Sequence, residues 1–128
     1  MLCYHRFQFE DLPRLTDFLG LLPAGHNAAF EFRNDTWFDD DVYDALKSGG
    51  AALCVSERED NAPPPLIETA NWGYVRLRLE NYSDDDLEHW ARTLEATSWH
   101  EIFVYFMHEP TAPAYARKLM DLGAPAKA

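Results

Sequence analysis

Three consecutive stretches decide the fold: Trp72-Gly73-Tyr74-Val75-Arg76-Leu77-Arg78-Leu79, then Ser83 to Leu94, then Glu101-Ile102-Phe103-Val104-Tyr105-Phe106-Met107. In the first, Val75, Leu77 and Leu79 alternate with Tyr74, Arg76 and Arg78. That period of two sends neighbours on a strand to opposite faces. In the second, Ser83 with Asp86 spells a capping box, and Asp84 to Asp86 sit at the positive end of a helix dipole. Leu87, Trp90, Ala91 and Leu94 then recur at i, i+3, i+4 and i+7, one helical stripe. The third stretch is rich in β-branched and aromatic residues and reads as a strand. Strand, helix, strand is a crossover unit, which joins parallel strands.

Working outward, the same alternation continues. Leu12, Leu15, Leu19 and Leu22 form the stripe of a helix over 11–22 that Asp11 can cap. After a break at Pro23-Ala24-Gly25, a strand over 28–33 puts Phe30 and Phe32 on one face and Glu31 and Arg33 on the other. Thr36 with Asp39 is spaced as a capping box for a second helix, whose stripe is Phe38, Val42, Ala45 and Leu46 and whose stop is Gly49-Gly50. The nearly continuous apolar run 51–56 predicts a strand covered on both faces. Residues 58–65, with three consecutive prolines, are an extended loop. A last helix spans about Ala112 to Leu122, with Gly123 as its stop. The predicted strands are therefore 28–33, 51–56, 72–79 and 102–107, parallel, with helices on one side. Four such strands are half of an eight-stranded barrel of roughly 250 residues, the alternative being a small open sheet.

The 128 residues hold 47% hydrophobic and 14% aromatic side chains, enough for one packed domain over 1–128 and too few for two. A formal charge of −11 works against a phosphate-backbone footprint, so no nucleic-acid partner is expected. No apolar run is long enough for a membrane span, and the start lacks a signal-peptide core, so a cytoplasmic location is expected. Cys3 and Cys54 have no CxxC partner and read as free thiols, Cys54 as a buried one.

Several strings, in order, resemble one family. Phe30-Glu31-Phe32-Arg33, Thr36-Trp37-Phe38 and Val42-Tyr43-Asp44-Ala45-Leu46 are similar to the "EFR…SWF…VY..L" signature of the YecE-like family, domain of unknown function 72. Pro63-Pro64-Pro65 before Glu68-Thr69, the run Tyr74 to Arg78, Tyr82-Ser83-Asp84 with Leu87, Trp90 and Ala91, and Val104-Tyr105-Phe106 with His108-Glu109 follow that family's order. The resemblance runs from about Phe7 to Gly123 and implies the C-terminal half of a TIM-type (β/α) barrel of uncharacterised function. On that reading the chain is a fragment, a split protein or a shortened gene product. It departs from the family at Glu57, where Asp is common, and at Met107, where many members carry Lys.

In such folds functional side chains gather beyond the carboxyl ends of the strands. Charge gathers there in this sequence: Glu31 and Arg33, Glu57, Arg76 and Arg78, and His108-Glu109. Guanidiniums can hold a planar anion bidentately, and His108 or Glu31 can move a proton. The leading reading is therefore a small anionic metabolite held by Arg33, Trp37, Arg76, Arg78, Glu57 and Glu109, with Glu31 and His108 catalytic. The competing reading pairs the same arginines with Glu31 as a structural network. A noncatalytic half-barrel subunit that associates with itself or with a completing partner is one alternative, and a metal-dependent nuclease-like barrel another. Glu31, Glu57, His108 and Glu109 are hard ligands, but their spacing is not diagnostic and the arginines repel a cation, so no metal is assigned. His5, His26, His89 and His100 read as surface residues. No glycine-rich phosphate loop or serine elbow is present, and the cofactor is left unassigned.

Overall fold

Parallel pairing is what the alternation of strands and helices requires, and every strand pair obeys it. The computed structural model describes residues 2–4, 11–23, 27–32, 35–59, 65–108 and 110–127. Within them the order is β1 (Leu2–Tyr4), α1 (Leu12–Leu21), β2 (Ala28–Phe30), a 3-10 turn (Asp35–Trp37), α2 (Asp40–Gly49), β3 (Ala52–Leu53), β4 (Val55–Glu57), β5 (Trp72–Leu77), α3 (Asp84–Glu95), β6 (Glu101–Phe106) and α4 (Ala112–Lys127). The strands make two parallel sheets, β1-β2-β3 and β4-β5-β6. Cys54 alone separates β3 from β4, and its N–H still donates to the Phe30 carbonyl at 2.8 Å. One extended segment thus leaves the first sheet and enters the second.

Register fixes the faces. Phe30 lies beside Leu53, Val55 beside Val75, and Arg76 beside Tyr105. Phe30 and Leu53 are buried with Leu15 of α1 and with Val42 and Leu46 of α2. Val55, Val75 and Leu77 are buried with Leu87 and Leu94 of α3 and with Trp99. Side chains of the opposite parity, Ala29, Ala52 and Trp72, pack with Tyr74 and Phe103 on a second face. We call these the helix face and the inner face. Each fully buried Leu or Phe on the helix face contributes about 1.5–3 kcal/mol, so the helix face is where the sheet gains its stability.

Four expectations need correction. β1 was not foreseen, and the predicted strand 51–56 is two short strands, not one. The second helix starts at Asp40, with the Asp39 carboxylate accepting from the Val42 N–H at 3.0 Å. Thr36 lies instead in the 3-10 turn, because Trp37 is fully buried and stacks on Phe32 with centroids 4.4 Å apart. Gly123 does not stop α4. A glycine ends a helix where it takes the left-handed cap, as Gly50 does at φ 67°, and Gly50 is the only described residue with positive φ.

Loops are tied in by side chains. Thr69 is buried, its hydroxyl donating to the Ala51 carbonyl at 2.6 Å and accepting from the Leu53 N–H at 3.0 Å. Glu68 accepts from the Ser98 N–H at 2.7 Å, which positions the turn carrying Trp99. Trp99 lies flat against the backbone of β5 at Gly73, where a Cβ would fall 2.3 Å from the ring. Gly73→Ala must therefore displace Trp99 from the core. The expected loss is about 1–3 kcal/mol, the usual effect of overpacking, read as a lower midpoint in urea; an unchanged midpoint would show that the ring is not held there.

Candidate functional site

On the inner face three side chains, Arg76, Arg78 and Cys54, reach one carboxylate, and Ser56 and Met107 contact the two arginines. Glu31 follows β2 and is 1% exposed. Its Oε1 accepts from Arg76 Nη1 at 2.8 Å, and Arg78 Nη2 donates to Oε1 at 3.3 Å and Oε2 at 3.2 Å. Cys54 Sγ approaches Oε1 at 3.7 Å. Arg78 Nε donates to Ser56 Oγ at 3.1 Å, and Arg76 Nη2 makes a weak contact with Met107 Sδ at 3.8 Å. The two arginine side chains are only 17% and 21% exposed. Parity explains the convergence: Cys54 and Ser56, then Tyr74, Arg76 and Arg78, share the face that Ala29 begins.

Among the described residues, two guanidiniums are paired with this one carboxylate. Arg78 keeps a donor in reserve. Its Nε and Nη2 are engaged, and its Nη1 has no protein acceptor among the described residues. A buried guanidinium is well suited to a planar or tetrahedral oxyanion, because its donors are fixed in a fork.

The other predicted site residues are distributed differently. Trp37 is wholly buried on the helix face and does not reach the arginines. Glu57 has the parity of Val55, so it points among the helices: Tyr82 Oη donates to Glu57 Oε1 at 2.8 Å, and Trp90 Nε1 donates to the same oxygen at 3.3 Å. It fastens α3 to β4 and stands apart from Glu31. His108 is exposed just past β6, and its carbonyl caps the start of α4 by accepting from Ala112 and Thr111. Its imidazole makes none of the cluster's bonds. Arg33 and Glu109 lie outside the described residues, as do His5 and His26. Among the described residues no three His, Cys, Asp or Glu side chains converge as a metal would need.

The comparison with known families follows this geometry. The family model described as "Protein of unknown function DUF72" matches residues 4–128. The chain belongs to the DUF72 family. Two solved DUF72 structures resemble this one: a protein of Enterococcus faecalis V583, with TM-score 0.68 and 16% identity over 94% of this chain, and one of Thermotoga maritima MSB8, with TM-score 0.66 and 17% identity over all of it. The match takes in 58% of each of those two chains, so this DUF72 chain spans less than two thirds of their length. Identity at that level carries the fold alone. No curated protein matches the chain. No helix among the described residues is long and apolar enough to cross a membrane.

Sequence reading missed Cys54, Ser56 and Met107 as members of the cluster, and the parity that places Cys54 and Ser56 was available. It also missed the Glu57–Tyr82–Trp90 contact. Burial pushes the Tyr82 hydroxyl far above its ordinary value of 10.0; the Leu79 N–H opposes this, and the hydrogen bond to Glu57 adds to the rise. Above pH 10 the unfolded chain loses this proton while the folded chain keeps it, so stability falls as pH rises. The slope is about 1.4 kcal/mol per pH unit for one such group. Urea unfolding from pH 9 to pH 11 is expected to show a shallower decline in Tyr82→Phe than in the native protein; parallel declines would refute the assignment.

Proposed function

We propose that this DUF72 chain binds a small anionic metabolite on its inner face, at the carboxyl ends of the parallel strands. The observation that carries this reading is Arg78. It is half of a pair that shares Glu31, it remains partly open to solvent, and it has a guanidinium nitrogen with no protein acceptor among the described residues. Carboxyl ends of parallel strands are where ligands of such sheets gather. We take the strands to be part of a TIM-type barrel, in which this edge would be the mouth. Glu31 then acts as the counter-charge that holds both guanidiniums in place, and His108, two residues past the end of β6, is the residue available to move a proton. The reaction is left unassigned.

A second reading, a subunit completed by a partner, is favoured by β6. Among the described residues this strand is bonded on one side only, to β5. Beside it, α3, β6 and α4 enclose a mostly apolar groove of about 550 Å3 lined by Leu94, Ile102, Phe106, Leu119 and Met120. Tyr105 and Met120 are exposed along it. An open parallel edge beside an apolar groove suits a partner that adds a strand at β6 and an apolar surface over the groove. Sedimentation velocity across a dilution series is expected to show association; a monomer at every concentration would remove this second reading.

For the anion site, phosphate and simple carboxylates are expected to raise the melting temperature, since a ligand of the folded state must stabilise it. Arg78→Gln is expected to weaken binding roughly tenfold or more, the equivalent of about 1.5–3 kcal/mol for a hydrogen bond to a charged group. If no anion stabilises the native chain, or if the variant responds equally, the cluster is a structural ion pair and nothing more.

A further inference from the structure

The inner face changes character along the strands. At the amino-terminal end Trp72 and Phe103 meet edge to face, with centroids 5.9 Å apart, and Trp72 is only 6% exposed. One step of two residues further, Tyr74 and Tyr105 lie with centroids 5.3 Å apart and planes tilted by 34°. The next step is Arg76, followed by Arg78. Steps of two residues advance about 6.6–7 Å on one face, so the tyrosine pair borders the arginine pair. Arg76 and Tyr105 are also register partners on adjacent strands. Tyr105 is 42% exposed, a large aromatic side chain left open beside a partly open cation pair.

From this juxtaposition we infer that the preferred ligand is an aryl anion: a planar ring that lies on the Tyr74–Tyr105 pair and carries a phosphate or carboxylate that reaches Arg78. The inference rests on the anion reading above and adds the ring to it. Two observations favour it over a bare anion. The tyrosines offer an aromatic surface beside the cationic end, Tyr105 being the register partner of Arg76. Arg78 keeps one guanidinium nitrogen without a protein acceptor among the described residues, which suits a single anionic group, and Glu31 would repel a second acid on the ligand. The ring adds affinity through stacking and burial, and the anion sets its orientation.

The test compares phenyl phosphate with methyl phosphate, which carry the same charged group, by titration calorimetry on the full chain. The expected result is tighter binding of phenyl phosphate, by about tenfold at the upper end of what an aromatic pair provides. That ratio should be kept in Tyr105→Phe and fall to near one in Tyr105→Leu, with circular dichroism confirming that both variants fold. Both ligands should weaken in Arg78→Gln. Equal affinity of the native chain for the two phosphates overturns the ring inference and leaves the anion reading standing. Absence of binding by either overturns both. A preference that survives Tyr105→Leu places the ring elsewhere and overturns the inference.

Discussion

The buried carboxylate of Glu31 is the constraint on which the inner face depends. Removing a carboxylate from water costs several kcal/mol even after relaxation, and only close, well-directed donors can offset it. Among the described residues the guanidinium donors are Arg76 of β5 and Arg78 just past it, while Glu31 itself follows β2 and the thiol of Cys54 comes from the seam between β3 and β4. The carboxylate therefore ties strands of both sheets at one point. The helix face could be built from many apolar combinations of the right volume. The inner face has less freedom, because substituting Glu31 would leave two largely withdrawn guanidiniums without the carboxylate they share.

That asymmetry explains what was legible in the sequence. Elements with repeating apolar positions were readable: the period of two in 72–78, the stripe Leu87, Trp90, Ala91, Leu94, and the capping box of Ser83 and Asp86, in which Asp86 Nα donates to the Ser83 hydroxyl at 3.1 Å and the Ser83 N–H donates back at 2.9 Å. The pairing of Glu31 with two arginines was readable as one of two competing readings. What escaped was non-repeating. β1 has three residues, too few for a period to appear. Trp37 could have gone to either face of a loop, and only tertiary packing on Phe32 decides it. Glu57 is the instructive case: counting from Val55 puts it with the helices, yet its position at a strand tip invited its placement with Glu31.

Cys54 marks the mechanical seam. The backbone there bonds to Phe30 on one side, and one residue later Val55 is in register with Val75 on the other. An extended segment that changes sheets must twist strongly, and twist curls a parallel sheet toward a closed surface. The convergence of Glu31, Arg76 and Arg78 follows from the parity that puts them on one face of adjoining strands. Thr69 supports the seam from the helix side of the chain path by fixing Ala51 and Leu53 just before it.

The overall charge and the local charge act on different quantities. A formal charge of −11 belongs to a surface whose field is screened beyond about 8 Å at physiological salt. It governs how readily an anion arrives, and added salt speeds that arrival by damping the repulsion. Affinity is set at contact, where Arg76 and Arg78 are mostly withdrawn from solvent and water screens them far less. An acidic protein can thus hold an anion without contradiction. The place for it is where guanidiniums gather, and among the described residues of the inner face two of them share Glu31.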